Sequence, residues 1–372
     1  MSGTSCCHQV TRLFARADIR LDGDRPWDVQ VRRREFYPRL LAQGSLGLGE
    51  SYMDGWWECP AIDEMVHRAF RAGLADAVFP FRRAVLRLAS RLTNRQKASR
   101  ARQVATRHYD IGNDLYAAML DRRMIYSCAY WRNASSLDEA QEAKLGLICR
   151  KLRLEPGMRL LDIGCGWGGL ARFAAERYGV TVTGVTVSRE QAAFAAARCE
   201  GLPVSILLQD YRSVSGIFDR IVSVGMFEHV GHKNYRTFMQ RCRDLLVPDG
   251  LFLLHTIGGN ASTCAIDPWI DRYIFPNAVL PSPGQITNAS EAFFVMEDWH
   301  SFGSDYDPTL MAWHANFAAH WPRLKERYGE RFRRMWRYYL LACAGSFRAR
   351  ENQVWQVVFS SHGVAGGYPA CR

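Results

Sequence analysis

From about residue 155, hydrophobic and polar positions follow a regular order that predicts strands separated by helices. Five short apolar runs predict strands: MRLLDIG, VTVTGVTV, VSILLQD, FDRIVSVG and LFLLHTIG. Between them, WGGLARFAAERY, REQAAFAAARCEG and YRTFMQRCRDLLVPDG predict helices. Continuous apolar strands alternating with helices are typical of a parallel sheet covered on both faces. Right-handed crossovers then give a doubly wound, Rossmann-like α/β domain.

The remaining chain is less regular. Residues 1–100 mix short strand-like and helical segments, such as WDVQV and YMDGWWEC, and residues 101–150 hold an aromatic-rich connector and a helical run. After Gly258 an aromatic-rich segment precedes a long helix, predicted from about Thr309 to Arg348, and a last strand, VWQVVFS. We therefore expect a smaller mixed N-terminal domain in residues 1–100 and the α/β domain in residues 101–372.

Composition predicts an ordinary globular chain of 372 residues, 48% of them hydrophobic. The 11 cysteines include no C-x-x-C pair, so we expect reduced thiols and neither a disulfide framework nor a metal site. The N-terminus lacks the apolar core of a signal peptide, and no apolar run approaches the ~20 residues that span a bilayer. These features predict a cytoplasmic protein.

Net charge is +11, which favours an anionic partner such as acidic lipid or nucleic acid. The interval between Asp76 and Asp110 has no acidic residue but nine basic ones: Arg82, Arg83, Arg87, Arg91, Arg95, Lys97, Arg100, Arg102 and Arg107. Apolar residues lie among them at roughly helical spacing. A basic amphipathic helix on a membrane surface has this pattern, and so does a solvated helix packed on its own core. Both interpretations stay open.

The stretch LLDIGCGWGGLARFAAERYG carries the motif G-x-G-x-x-G at Gly164, Gly166 and Gly169, after a strand and before a helix, as in nucleotide sites. A dinucleotide site also needs an acidic residue at the end of the second strand, but GVTVSREQ has none before Glu190. S-adenosylmethionine fits better, because it has an amino-acid end and an adenosine but no phosphate. Asp162 suits its cationic group, and Asp210 with Tyr211, in QDY, suits adenine.

Several motifs together resemble the cyclopropane-fatty-acyl-phospholipid synthases and the related mycolic acid cyclopropane synthases: HYDIGNDLY, YSCAYW, LDIGCGWGG, FDRIVSVGMFEHVG, LLHTIG and MEDWHSFG. The resemblance covers nearly the whole chain. It implies a class I methyltransferase fold and a cytoplasmic enzyme of lipid biosynthesis. Such enzymes transfer the methyl of S-adenosylmethionine to a cis double bond of a phospholipid acyl chain. A cyclopropane ring then closes through a carbocation, with a bound bicarbonate ion acting as or near the base.

The resemblance and the strand ends together predict two sets of site residues. The bicarbonate set is Cys128, Glu228, His255, Ile257 and Tyr306. The cofactor set is Tyr126, Ser127, Asp162, Gly164, Cys165, Gly166, Thr186, Ser188, Gln191, Gln209, Asp210 and Tyr211. Cys343 matches a cysteine proposed as catalytic in the family, but an apolar helix surrounds it, which favours an inert, structural thiol.

Other side chains allow two interpretations each. His229 is a possible base, although its position next to Glu228 favours a structural role. The segment with His108, Asp110 and Asn113 either closes over the cofactor, which we favour, or caps a helix. Trp167 either touches the cofactor or packs. A carbocation site also needs aromatic walls, for which the chain offers Tyr126, Tyr130, Trp131, Phe227, Trp299, Tyr306 and Trp313.

The expected partner is a phospholipid membrane with anionic headgroups, bound peripherally on the inner face of the cell membrane through the N-terminal domain and the basic run. The resemblance also implies a homodimer. Two alternatives remain: a nucleic-acid methyltransferase, although GMFEHV stands where an NPPY-like motif is expected, and a catalytically silent membrane-binding protein. For the latter, an intact glycine loop and Glu228 would have no purpose.

Overall fold

The structure, a computed structural model, describes residues 3–74, 112–264 and 266–372. In these ranges the chain forms two compact units. The first takes residues 3–74, 266–276 and 306–352, and the second takes residues 112–264, 277–305 and 353–372. The basic run between Asp76 and Asp110, with His108, lies outside the described residues. The sequence also predicts a functional boundary at residue 100, between a membrane-docking region and a catalytic region. That boundary stays a prediction.

The second unit contains a seven-stranded sheet. Its strands are β3 (Arg159–Ile163), β4 (Thr181–Thr186), β5 (Val204–Leu208), β6 (Phe218–Val224), β7 (Leu246–Gly259), β8 (Val295–Ser301) and β9 (Asn352–Ser360). Their order is β5-β4-β3-β6-β7-β9-β8. The pairs β3–β4, β3–β6, β4–β5 and β6–β7 are parallel, and β8–β9 is antiparallel. The predicted doubly wound α/β fold is confirmed.

Helices cover both faces of this sheet. They are α5 (Asn113–Met119), α6 (Leu137–Lys151), α7 (Gly169–Tyr178), α8 (Arg189–Arg198), α9 (Tyr235–Leu245) and α11 (Pro283–Ser290). Alternate strand residues enter two separate apolar clusters, because side chains alternate across a sheet. Leu161 packs in the cluster that includes residues of α9 and α11, whereas Leu160 packs with residues of α6 and α7.

The first unit is mainly helical. It contains α1 (Gly3–Ala15), α2 (Phe36–Gln43), α3 (Ser45–Met53), α4 (Ile62–Arg71), α10 (Pro268–Tyr273), α12 (Tyr306–Arg348) and the short antiparallel pair β1 (Gln30–Val31) and β2 (Trp57–Glu58). Arg334 of α12 donates to the carbonyls of Tyr52 and Trp57 and pairs with Glu58 at 2.8 Å. The smaller mixed segment near the N-terminus therefore folds together with the long helix.

Sequence and structure differ at three elements. The helix predicted from Tyr235 to Gly250 ends at Leu245, and β7 begins at Leu246, before Pro248, which cannot donate a helical hydrogen bond. Strand β8 was not predicted. The long helix is interrupted at Gly329, whose backbone is non-helical.

All eleven cysteines lie in the described ranges, and none of them forms a disulfide there. In those same ranges no helix is long and apolar enough to cross a membrane.

Candidate active site

The candidate site lies at the carboxyl end of the parallel strands in the second unit. The strand order reverses between β3 and β6, since β4 and β5 extend to one side and β7 to the other. In open α/β sheets the crevice outside the carboxyl ends at such a reversal binds ligands. Asp162, Thr186 and His255 all lie within or at the ends of these strands.

The glycine loop is anchored to the neighbouring strand. The N–H groups of Gly164 and Cys165 both donate to the carbonyl of Val185, at 2.9 and 3.0 Å. Gly164 has φ of +86°, and a Cβ there would lie 2.9 Å from the Cβ of Met226. The first glycine is therefore required both for its backbone conformation and for its close approach to the loop after β6.

Three predicted cofactor residues form one hydrogen-bonded group after β4. The Thr186 hydroxyl donates to Gln191 Oε1 at 3.0 Å and accepts from the Ser188 N–H at 3.2 Å. Ser188 caps α8 by accepting from the Gln191 N–H at 3.3 Å. All three are buried. The structure brings them together in one hydrogen-bonded turn, and their contact with a cofactor stays a prediction.

The QDY segment follows β5. The Gln209 N–H donates to the Thr186 carbonyl at 3.0 Å, which ties this segment to the turn after β4. Asp210 accepts from the N–H and the guanidinium of Arg212, both at 2.9 Å. The Tyr211 ring is buried, and its hydroxyl has no hydrogen-bond partner within the described ranges. Burial raises the pKa of Tyr211 to about 12, so the hydroxyl is neutral.

Residues 112–126, which precede α6, pack on the glycine loop. The indole N–H of Trp167 donates to Asn113 Oδ1 at 2.9 Å, and its ring lies 4.7 Å from that of Tyr116. Tyr116 in turn packs edge-on against Tyr126. Gly112, not Asn113, is the N-cap residue of α5, so the helix-cap interpretation of Asn113 is wrong. Asn113 instead joins this segment to the loop.

Glu228 lies in a single helical turn after β6 and is buried. Its Oε1 accepts from the Ile257 N–H at 2.6 Å, whereas its Oε2 has no hydrogen-bond partner among the described residues. Burial raises the pKa of Glu228 to about 7, although the Ile257 N–H opposes this shift. Glu228 and Ile257, both predicted for the bicarbonate site, are thus in direct contact.

His255 lies near the end of β7, beside Val224 of β6. Its Nδ1 lies 3.3 Å from Gln356 Nε2, and its ring meets Phe302 edge-on. Burial and the charges of Lys144, Lys151 and His300 lower the pKa of His255 well below its usual value. In this orientation the Gln356 amide donates to Nδ1, so the single imidazole proton is on Nε2. His255 is a neutral N–H donor.

Comparison with known proteins then identifies the family. A family model described as "Mycolic acid cyclopropane synthetase" matches residues 96–357. The chain is 56% identical over 364 residues to the cyclopropane-fatty-acyl-phospholipid synthase of Escherichia coli K12, covering 98% of this chain and 95% of that protein. The chain belongs to the cyclopropane synthase family.

Solved structures agree with this assignment. The cyclopropane synthase MmaA2 from Mycobacterium tuberculosis is 33% identical with a TM-score of 0.66, over 69% of this chain and 97% of that one. The mycolic acid cyclopropane synthase CmaA1 complexed with SAH and CTAB is 34% identical with a TM-score of 0.65, over 69% and 97%. The cyclopropane synthase fold is thus a class I methyltransferase fold, and this chain is an S-adenosylmethionine-dependent methyltransferase.

Two residues predicted from the cyclopropane synthase motifs belong to the first unit. Tyr306 is the first residue of α12, where its ring packs on Phe347 at 4.5 Å and on Trp313 at 5.9 Å. Cys343 lies near the other end of the same helix. Burial and the nearby Asp267 raise its thiol pKa to about 12, so it is protonated at neutral pH. That state favours the structural interpretation of Cys343.

Other predicted side chains have defined surroundings too. Cys128 is buried, and its thiol donates to the Ala129 carbonyl at 3.3 Å. Phe227 stacks on Tyr235 at 4.2 Å inside an apolar cluster, and its role as a wall of the site stays a prediction. His229 is partly buried, and this desolvation lowers its pKa to about 4 and keeps it neutral.

Sequence reasoning missed three polar residues of this region. Gln141 and Lys144 of α6 hold Ser127, and Gln356 of β9 holds His255. The sequence indicates these three residues only weakly, because a polar residue at an apolar position of a helix predicts burial only when its hydrogen-bond partner is known. The described residues contain no group of three or more His, Cys, Asp or Glu side chains placed to hold a metal ion.

Proposed function

We propose that this chain converts unsaturated phospholipid acyl chains to cyclopropane fatty acids, taking the added carbon from the methyl of S-adenosylmethionine. The observation that carries the proposal is Glu228: a buried carboxyl at the end of β6, with one oxygen on the Ile257 N–H and the other without a hydrogen-bond partner among the described residues. A group that removes a proton from a substrate needs such an acceptor. The 56% identity to a synthase with this activity supports the assignment.

The reaction requires one carbon to form two new bonds. The alkene attacks the sulfonium methyl, a C–C bond forms, and the S–CH₃ electron pair leaves with S-adenosylhomocysteine. The resulting carbocation closes when the added methyl loses a proton and its C–H electrons form the second C–C bond. The chain must therefore supply a proton acceptor and exclude water, which would trap the cation.

The bicarbonate predicted from the family fits the residues of the second unit. Bicarbonate has both an O–H donor and acceptor oxygens, while Glu228 Oε2 is a buried acceptor and neutral His255 offers one N–H donor. Glu228 and His255 would hold it, with Cys128 and Ile257 of the same unit as the further predicted partners. When bound, it supplies a base of suitable strength for the methyl proton. The Ile257 N–H holds Glu228 Oε1, which leaves Oε2 to accept a hydrogen bond from the ion. The Gln356 amide donates to His255 Nδ1, which keeps the imidazole proton on Nε2.

The donor site would be built from the strand ends. The hydrogen-bonded turn of Thr186, Ser188 and Gln191 would border the adenosine together with the QDY segment. The amino-acid end would be bordered by Asp162, Gly164, Cys165, Gly166, Tyr126 and Ser127. Support comes from their location at the sheet reversal, where open α/β sheets bind ligands, and from the SAH complex named for CmaA1.

The substrate lies in a membrane, so the proposal includes peripheral docking. Residues 1–100 would form the docking region for anionic headgroups on the inner face of the membrane, and residues 101–372 the catalytic region. The net charge of +11 supports attraction to anionic headgroups. A homodimer, implied by the family resemblance, would double the membrane contact, and sedimentation of the purified chain would measure it.

A transfer assay tests the proposal. The protein is incubated with S-adenosylmethionine labelled in its methyl and with vesicles of unsaturated phospholipid, and the extracted fatty acids are separated. Label is expected in cyclopropane fatty acids. Vesicles of fully saturated phospholipid are the matched control and should take up none. Label in added nucleic acid, or no transfer at all, would contradict the proposal.

A further inference from the structure

Helix α6 buries two lysines against the sheet. Lys144 and Lys151 are almost fully buried, which lysine tolerates only when its ammonium finds polar partners. Lys151 has such polar partners, because its Nζ lies 3.4 Å from Asp298 Oδ2 and 3.1 Å from His300 Nδ1. Lys144 has different partners, and it has no role in the proposed reaction steps.

The ammonium of Lys144 donates to the hydroxyl oxygen of Ser127 at 2.8 Å. One turn earlier on the same helix, Gln141 Nε2 donates to the Ser127 carbonyl at 2.9 Å. Helix α6 therefore donates hydrogen bonds to both the side chain and the backbone of Ser127. Because the oxygen of Ser127 already accepts from an ammonium, its own O–H is left to donate to another group.

The same ammonium faces Asp162. Leu160 packs in the cluster that includes α6 residues, and Asp162, two residues on in β3, points to the same face of the sheet. Asp162 is buried, and its Oδ2 has no hydrogen-bond partner within the described ranges. Burial raises the pKa of Asp162 to about 7, and Lys144 opposes this rise. Burial lowers the pKa of Lys144 to about 8, against the carboxylates of Asp121 and Asp162.

These contacts place an O–H donor and an anionic acceptor at the same end of the site. The amino-acid end of S-adenosylmethionine carries a carboxylate, which needs a hydrogen-bond donor, and an ammonium, which needs an acceptor. We propose that Lys144 is a positioning residue that sets this polarity: it holds Ser127 so that the hydroxyl donates to the carboxylate of the cofactor, while Asp162 meets the ammonium. The inference rests on the proposed function, since it concerns the same donor site.

Two ligands separate this role from a general loss of structure. Binding of S-adenosylmethionine and of its decarboxylated analogue is measured by calorimetry without lipid. Wild type should prefer the ligand that carries the carboxylate. In Lys144→Met the Kd for S-adenosylmethionine should rise about tenfold or more, as expected for a lost charge-assisted hydrogen bond. The Kd for the analogue should rise much less, because it loses only the support that Lys144 gives to the charge of Asp162. Equal weakening of both ligands would overturn the proposal.

Lys151→Met is the matched control, because it removes an equally buried lysine from the same helix. It should leave the preference between the two ligands as in wild type, and a loss of preference there as large as in Lys144→Met would contradict the assignment.

Ser127→Ala tests the same route without burying a new side chain, and it keeps the test open if Lys144→Met fails to fold. It should also reduce the preference for the carboxylate. In the double variant Lys144→Met/Ser127→Ala the Kd for S-adenosylmethionine should be no higher than in the weaker-binding single variant, because the two act through one contact. Multiplying effects would overturn the proposal. A wild-type chain that binds neither ligand would instead contradict the proposed function.

Discussion

Glu228 and Asp162 are two buried carboxyls with one unpartnered oxygen each in the described structure, yet their surroundings differ. Asp162 faces the ammonium of Lys144, whereas Glu228 contacts the backbone N–H of Ile257. Burial raises the pKa of both to about 7. A cation therefore already stabilises the charged form of Asp162, which suits binding, while Glu228 can accept a proton or a hydrogen bond from what enters the site.

Removing the charge of Glu228 should therefore affect chemistry more than binding. Glu228→Gln keeps the shape and an oxygen for the Ile257 N–H but loses the anionic acceptor. We expect kcat to fall about 100-fold or more, within the range of general acid–base effects, with the Kd for S-adenosylhomocysteine within about threefold of wild type. Calorimetry and the transfer assay measure the two quantities. An equal loss of cofactor affinity would mean that Glu228 belongs to the donor site.

The pH profile provides a second check on Glu228. A carboxyl with a pKa of about 7 is mostly protonated at pH 6 and mostly ionised at pH 8, so the active fraction rises about tenfold between them. We expect kcat at saturating S-adenosylmethionine, whose bound ammonium keeps Asp162 ionised, to rise with pH through about 7, and the residual activity of Glu228→Gln to lack this step. The same step in the variant would assign it to another group.

Among the elements, the glycine loop allows a matched comparison. Gly164 and Gly166 both have positive φ, +86° and +54°, but only at Gly164 would a Cβ meet a neighbour, Met226. An alanine at either position costs about 1–2 kcal/mol for its backbone conformation. Gly164→Ala should lose about 1–3 kcal/mol more through overpacking, and it should also weaken S-adenosylhomocysteine binding. Equal unfolding free energies for the two variants would mean that the loop relaxes around the added methyl.

The α/β elements were predictable because their apolar periodicity and glycine signals are local. Strand β8 was not, since Val295–Ser301 contains Glu297, Asp298 and His300, whose burial depends on partners far along the chain. Asp298, for example, is held by Lys151 and by Arg372. The contact of Lys144 with Ser127 escaped prediction for the same reason, because it joins a helix to a loop without a repeating pattern. By contrast, Glu228 comes shortly after β6 and His255 lies near the end of the apolar strand β7, so the local pattern alone indicated both as candidates.

For the whole molecule, the net charge of +11 should make membrane binding sensitive to salt. Raising ionic strength from about 0.1 M to about 1 M shortens the Debye length from about 10 Å to about 3 Å. Co-sedimentation with vesicles containing an anionic phospholipid should therefore decrease over this range. Vesicles of zwitterionic lipid alone should bind less at low salt. Binding that is independent of both salt and headgroup charge would contradict electrostatic docking.

In the proposed reaction one methyl carbon becomes a ring carbon and loses one hydrogen on the way. S-adenosylmethionine carrying a fully deuterated methyl tests it directly, with unsaturated phospholipid vesicles and mass analysis of the fatty acids. We expect a cyclopropane product that has gained CD₂, so that one deuterium of the original methyl has been released. A product that keeps the whole CD₃ group, or an unchanged fatty acid, would contradict it.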